Sequence, residues 1–366
     1  MRIAFIGARG VGGTYSGIET YYEEVGSRLA ARGHEVTAYC RRHFTPPVDE
    51  YRGIRVHRLP CLRSKHLETA SHSLLATLDS LRHGFDIVQF HAIGSAPLAF
   101  LPRIAGAATV VSVRGLDWQR SKWGRIARAA LRLGEWASTR MPNGTVVVSD
   151  TLRSHYRKVH GREPHLIPNP VPPVERRELG SLASRGLASR GYLLYAGRIS
   201  PEKHVHTLIE AAKPLLGDIQ LVIAGGGSYA DEYVRRVQEL GAGDVVFLGQ
   251  VDRETMRGLL SNAFAFVLPS ALEGLSVGLL EALAYGNCVV VSDIPENREV
   301  VGDAGAYVPV GDVSSLRATL AALVREEGLA ENLRRRARQR AAELPDWDRV
   351  ALLTESYFFS LLSSLN

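Results

Sequence analysis

Two carboxylates eight positions apart, Glu273 and Glu281, frame the run Glu273-Gly-Leu-Ser-Val-Gly-Leu-Leu-Glu281. The apolar run before it, Ala263 to Ser270, reads as a buried strand closed by a turn, and the run from Val277 reads as a helix. Glu273 then lies in a strand-to-helix loop, and residues 274–277 present backbone N–H groups at a helix entrance, which attracts anions. Glu281 follows about 2.2 turns later, near the same face. The two acids can accept hydrogen bonds from hydroxyls while the amides between them hold phosphate. A second cluster is Gly197-Arg-Ile-Ser-Pro-Glu-Lys203, directly after another apolar run. Arg198 and Lys203 set a guanidinium and an ammonium at one strand end, a combination suited to a diphosphate. The chain has five lysines in all, so one at this point carries weight. Ala224-Gly-Gly-Gly-Ser228 marks a third strand end, where glycines, Gly226 among them, let the backbone approach a ligand closely. A nucleoside diphosphate joined to a sugar would satisfy the whole set.

These groups need a scaffold. Arg2–Ile6, Glu35–Tyr39, Ile54–Leu59, Phe85–Phe90, Thr109–Val113 and Thr145–Val148 read as strands, separated by helical stretches that include residues 71–82 and a long basic helix from Trp118 to Thr139. The alternation predicts a parallel sheet covered on both faces. Pro168-Asn-Pro-Val-Pro-Pro173 reads as a boundary, and Ser181 to Gly191 as an exposed linker. The pattern then restarts with strands at Tyr192–Ala196, Gln220–Ala224, Val245–Leu248, Phe264–Leu268 and Cys288–Val291. The expected fold class is therefore α/β, with two doubly wound Rossmann-like domains facing across a cleft. The expected division is an acceptor-side domain over 1–172, a linker over 173–190 and a nucleotide-sugar-binding domain over 191–345. A final helix over 346–366 is expected to pack across the domains. Ligands in such sheets bind beyond the strand C-termini.

Composition narrows the class. With 366 residues, 45% hydrophobic and 22% charged, the chain is an ordinary globular sequence long enough for two domains. No run of eighteen uncharged apolar residues occurs, so no membrane-spanning helix is expected. Met1–Gly7 reads as a first strand rather than a leader, because glycines and Arg9 interrupt it. Three scattered cysteines fit neither a disulfide framework nor a metal site and suggest a reducing cytosol. Charge is uneven. Residues 1–170 hold 24 Lys and Arg against 13 Asp and Glu, while residues 171–366 hold 20 against 25. A basic half beside an acidic half points the first domain toward an anionic surface.

The Arg198/Lys203 spacing, the triple glycine, Phe247-Leu-Gly-Gln-Val251 and Glu273-x7-Glu281 together resemble family-4 retaining glycosyltransferases of the GT-B fold. The first half agrees. Ser16-Gly-Ile-Glu19 stands where that family has a Gly-Gly-x-Glu loop, and Gly33-His-Glu-Val36, His91 and Ile167-Pro-Asn169 also match. Tyr15–Thr20 together with Gly115-Leu-Asp-Trp-Gln-Arg-Ser-Lys-Trp123 is similar to a narrower branch of rhamnosyl- and related transferases of bacterial surface polysaccharides.

The resemblance implies a sugar moved from a nucleotide-diphosphate donor to a glycan or lipid-linked acceptor, at the inner face of the cell membrane. It implies that Arg198 and Lys203 stabilise the leaving diphosphate, that Glu281 binds the ribose hydroxyls, and that Glu273 and His91 contact the donor sugar. It places Ser16, Gly17, Gly226, Gly274, Leu275 and Ser276 on the donor, the Val251 backbone on the base, and Asp117 on the acceptor side. Such enzymes use same-face attack with the leaving phosphate as base. Many relatives have His where this chain has Arg114, so no role is carried to that residue. Asp346-Trp-Asp348 precedes the last helix and reads as its cap, so neither a metal nor a resident cofactor is expected.

Two other readings compete. Gly7-x-x-Gly10-x-x-Gly13 after the first strand matches an NAD(P)-dependent nucleotide-sugar dehydrogenase or epimerase. The second strand, however, ends in Cys40-Arg-Arg42 without a ribose-binding acid, and no Tyr-x-x-x-Lys occurs. A nucleic-acid binder would suit the basic half, but no recognised module is present and the second half is acidic, so no nucleic-acid partner is expected. On a helix, Trp123, Ile126, Ala130 and Leu131 share one side, flanked by Arg125, Arg128 and Arg132. That pattern points to peripheral contact with an anionic membrane, although a helix covering a sheet would look similar.

Overall fold

The computed structural model describes every residue except 14–16, 65–66, 121–122, 228–230 and 366, and only the backbone of Asp231. It divides into two compact units, Met1–Pro170 with Pro345–Asn366, and Val171–Leu344.

The strands of the first unit are β1 (Arg2–Ile6), β2 (Glu35–Arg41), β3 (Glu50–Tyr51), β4 (Ile54–Leu59), β5 (Ile87–His91), β6 (Ala108–Val113), β7 (Gly144–Val147) and β8 (His165–Leu166). Its helices are α1 (Gly17–Ala31), α2 (Glu68–Ser80), α3 (Phe100–Ile104), α4 (Arg125–Ser138) and α5 (Asp150–His160). The sheet order is β3-β4-β2-β1-β5-β6-β7-β8, parallel except where the short β3 pairs antiparallel with β4. β1 and β5 are neighbours although the chain leaves β1 in one direction and returns on its other side, so the switch point lies between them. Every residue of β5 and β6 is buried, as expected for strands covered on both faces.

The second unit has β9 (Tyr192–Ala196), β10 (Gln220–Ala224), β11 (Val245–Gly249), β12 (Ala265–Leu268), β13 (Cys288–Ser292) and β14 (Gly305–Val308). The helices are α6 (Val205–Ala212), α7 (Asp231–Leu240), α8 (Arg253–Asn262), α9 (Val277–Ala284), α10 (Pro295–Val301), α11 (Val313–Arg325) and α12 (Glu327–Glu343). All pairings in its sheet are parallel, in the order β11-β10-β9-β12-β13-β14. The switch point lies between β9 and β12.

The structure differs from two expectations. The stretch expected as an exposed linker belongs to the second unit: Leu182, within a short 3-10 helix over Gly180–Arg185, and Leu187 are buried in its core. Polar composition concealed two anchoring leucines. The long basic helix begins only at Arg125, because Gly124 is extended and residues Asp117–Gln119 form a separate 3-10 turn.

The last helix, α13 (Trp347–Leu365), joins the first unit's core through Trp347, Val350, Ala351 and Phe358. Polar bonds fix it against α1 and the turn after it. Tyr21 Oη meets Thr354 Oγ1 at 3.2 Å, Arg28 pairs with Asp348, and Glu355 takes both Arg32 and His34. Asp346 caps the helix, accepting the Arg349 amide at 2.8 Å, as its sequence position suggested.

Candidate active site

The loops after β9 and β12 meet at the second unit's switch point. Lys203 closes a short 3-10 turn, Pro201–Lys203, that Pro201 starts, and its Nζ donates to Glu273 Oε1 at 2.6 Å and to the Leu272 carbonyl at 3.4 Å. Both side chains are largely buried, 13% and 7% exposed. The Ala271 amide donates to the Glu202 carbonyl at 2.9 Å, so backbone also joins the two loops. Ser276 caps α9 by accepting the Leu279 amide at 3.3 Å, so the helix begins just after Glu273. Gly278 in the first turn lies 3.5 Å, measured from a built Cβ, from the Ala196 carbonyl that ends β9.

The β10 loop closes the floor. A Cβ at Gly225 would stand 1.8 Å from the Gly197 carbonyl, and its φ of +143° is one that L side chains rarely adopt, so this position requires glycine. The Ile199 amide donates to the Gly226 carbonyl at 3.0 Å. The triple glycine thus lets one loop backbone lie on another; Ser228 at its end falls outside the described residues. Beneath the floor, Tyr195 donates to the Arg198 carbonyl at 2.7 Å. Burial raises its phenol well above the usual value, the Glu273 charge adds to this, and Arg198 opposes it. Arg198 and Glu273 therefore both act on one buried ring.

Glu281 sits in a different field. Burial pushes its carboxyl up to about 7, opposed by Arg253 and Arg257 on α8. Glu273 raises Glu296 at the start of α10, whose larger cause is burial. Val251 lies partly buried between β11 and α8. The residues Gly274 and Leu275 are also partly buried, in the loop that leads to Ser276.

The first unit holds its own cluster. A Cβ at Gly7 would stand 2.5 Å from the His91 carbonyl, which brings the β1 and β5 loops together. His91 is 0% exposed and packed by Phe5, Tyr21 and Tyr22, and among the described residues neither ring nitrogen has a hydrogen-bond partner. Burial, then Arg114, pushes its imidazole well below the usual value, so the ring is neutral. A histidine at a strand end can turn inward as readily as outward, and the aromatic side chains of α1 receive it.

Arg114, to which sequence gave no role, lies 4.4 Å over the Tyr21 ring and donates to Asn169 Oδ1 at 2.6 Å. Its position after β6 was the available signal. Glu296 had a similar one, a Pro-Glu pair opening a helix after β13. Asp117 opens its 3-10 turn and pairs with Arg120 at 3.1 Å. Gly17 begins α1, while Ser16 lies outside the described residues.

The glycine loop after β1 is occupied by the protein itself. The Arg9 amide donates to Glu19 Oε1 at 2.9 Å and the Gly12 amide to Glu23 Oε1 at 2.8 Å. Both glutamates are buried. Two acids hold the amides that a dinucleotide pyrophosphate would need, and their charge would repel it. This geometry opposes the dehydrogenase reading.

No helix among the described residues is long and apolar enough to cross a membrane. On α4 the buried residues are Gly134, Glu135, Ala137 and Ser138, whereas Ile126 is 89% and Leu133 59% exposed. The side carrying Ile126 therefore does not cover the sheet. Arg125, Arg128 and Arg132 line one depression with Ala129.

Residues 185–340 match the family Glycosyl transferases group 1, and residues 15–175 match Glycosyltransferase Family 4. A phosphatidyl-myo-inositol mannosyltransferase of Mycolicibacterium smegmatis is 30% identical over 281 residues, covering 73% of this chain and 69% of that protein. Among solved structures, the sucrose-phosphate synthase of Thermosynechococcus elongatus superposes with a TM-score of 0.83 at 22% identity, covering 99% of each chain. Anabaena HepE in complex with UDP-glucose gives 0.78 at 17% identity over 100% of both chains. These structural neighbours share the GT-B fold.

Proposed function

Because the chain belongs to glycosyltransferase family 4, we propose that its second unit holds a nucleotide-sugar donor at the β9/β12 switch point and that the sugar passes, with retained configuration, to a glycan or lipid-linked acceptor. The observation that carries this reading is the Lys203–Glu273 pair beneath the α9 entrance. An acid poised for sugar hydroxyls and a cation poised for phosphate share one bond, so each holds the other in position before a donor arrives.

Arg198 and Lys203 supply positive charge to the diphosphate as the sugar–oxygen bond breaks, and the α9 amides add to it. That charge takes the part a divalent ion plays elsewhere, so the transfer step runs without one. Glu281, once ionised, accepts hydrogen bonds from the ribose hydroxyls. The leaving phosphate oxygen takes the acceptor's proton on the same face. Arg114, with Asn169 and Tyr21, holds the first unit's loops, and Asp117 lies on the acceptor side. The rhamnosyl-type surface-polysaccharide branch rests on the motif over residues 115–123.

We also place the enzyme at an anionic membrane surface through α4. Exposed Ile126 and Leu133 beside Arg125, Arg128 and Arg132 support this, since an apolar and a basic face side by side suit a headgroup layer.

The deciding experiment is thermal shift of the full chain with UDP, GDP, dTDP, ADP, NADPH and an oligonucleotide side by side. One nucleoside diphosphate should raise the melting temperature by several degrees, and Lys203→Ala should abolish the shift. A shift with NADPH alone, or with none of the diphosphates, would overturn the reading.

A further inference from the structure

Glu135 on α4 is 4% exposed, and its partners are unusual for this chain. Its Oε1 meets His155 Nε2 at 2.6 Å and His160 Nε2 at 2.8 Å, both from α5. Its Oε2 accepts from the indole Nε1 of Trp118 at 2.6 Å. Glu24, Glu68, Glu273 and Glu355 each meet an arginine or lysine. Among the described residues the ion pairs of Glu135 are to imidazoles alone, in a half-chain that carries 24 basic side chains.

The geometry converges on one point. One nitrogen of each imidazole and one carboxylate oxygen lie within 4.8 Å of one another. His155 stands within α5 and His160 at its last residue, where Gly161 turns the chain in a left-handed conformation. The donor set, two histidines and a glutamate, is one that zinc takes, with a water in the fourth position. The indole N–H on the second carboxylate oxygen is the kind of outer partner that orients a ligating carboxylate.

We propose that Glu135, His155 and His160 form a zinc site in the first unit, separate from the elements of the second unit that would hold the diphosphate. Without metal, each imidazole donates its Nε2 proton to the carboxylate. With metal, each Nε2 offers its lone pair instead and the ring keeps one proton, on Nδ1. Tetrahedral coordination at about 2.1 Å from each ligand sets neighbouring ligand atoms about 3.4 Å apart. The present spacings of 2.6 and 2.8 Å must open by several tenths of an ångström. His155, 25% exposed, has room to move. The metal would clamp α4 and α5 to the turn that carries Asp117 and Trp118.

A second group, His43, Cys61 and Glu68, is less suited. Cys61 meets His43 Nδ1 at 3.7 Å while Glu68 meets Nε2 at 2.7 Å, so the two approach opposite ring nitrogens. Arg41 also lies 3.4 Å from Glu68.

The test is titration of the EDTA-dialysed full chain with zinc and with cobalt(II). One equivalent should bind, with a rise in melting temperature that magnesium at the same concentration does not give. His155→Ala/His160→Ala should weaken zinc at least about 100-fold, and Trp118→Phe about 10- to 100-fold with all three ligands kept. If the double variant does not fold, His155→Ala alone, at the more exposed position, must still weaken binding at least about 10-fold. The proposal fails if wild type takes up no stoichiometric zinc. It fails equally if either histidine variant binds at full strength, or if cobalt shows a thiolate charge-transfer band that Cys61→Ser removes.

Discussion

Lys203 Nζ and Glu273 Oε1 stand 2.6 Å apart at the point where the second sheet reverses its strand order. Sequence places these residues in separate loops seventy positions apart and gives them separate ligands. In the structure they are one unit. Removing either partner leaves a largely buried charge, which commonly costs about 3–5 kcal/mol when burial is complete. Lys203→Ala should therefore lower stability by roughly 1–3 kcal/mol, and Lys203→Ala/Glu273→Gln should recover most of that loss. Turnover should fall at least about 100-fold in both, as expected when a preorganised charge on the leaving group is removed. Urea midpoints and initial rates on the four proteins of the cycle check this. A double variant as active as wild type would remove the pair from the site.

Glu281 gives a pH signature. Its folded carboxyl sits near 7 rather than the ordinary 4.5. The folded protein therefore holds a proton that the unfolded chain releases, and stability falls as pH rises from about 4.5 through 7. Glu281→Gln should leave stability at pH 4.5 unchanged and raise it at pH 8 by roughly 1–3 kcal/mol. Ribose hydroxyls favour the ionised acceptor, so wild-type affinity for a nucleoside diphosphate should rise between pH 6 and 8. That rise should vanish in Glu281→Gln, which binds weakly throughout. Calorimetric titration at four pH values decides it.

Chelation separates the two metal questions. Turnover should persist in excess EDTA if, as proposed, Arg198 and Lys203 supply the positive charge on the leaving diphosphate. A loss restored by magnesium or manganese would contradict this. A loss restored by zinc alone would point to the histidine pair on α5.

Membrane contact is tested by flotation. Wild type should float with phosphatidylglycerol vesicles at low salt and fall away as salt rises. Arg125→Ser/Arg128→Ser/Arg132→Ser should stay at the bottom while binding nucleotide normally. Wild type that fails to float at low salt would end the membrane reading.

The strands and their ligand-bearing ends were legible in the sequence because continuous apolar runs followed by glycine or proline admit few alternatives. Arg198, Lys203 and Glu273 could be placed at strand ends for that reason. The bond between Lys203 and Glu273 was not legible, since strand order decides which loops meet and periodicity does not encode it. The inward packing of His91 was not legible either, because a strand-end side chain has two directions open to it. Glu19 and Glu23 show the same limit. The Gly7–Gly13 loop matches a dinucleotide pattern by spacing, yet its amides are already held by carboxylates from the following helix.

The path of the chain sets an order of assembly. The second unit is continuous, whereas the first is closed by α13, which supplies Phe358, Val350 and Ala351 to its core. During synthesis the residues of the second unit leave the ribosome as an unbroken stretch and can fold as they emerge. The first unit must wait, its α1 face uncovered, until residues 347–365 have been made. The half that begins first is thus completed last, and through that interval its exposed apolar surface is the part of the nascent chain most in need of protection.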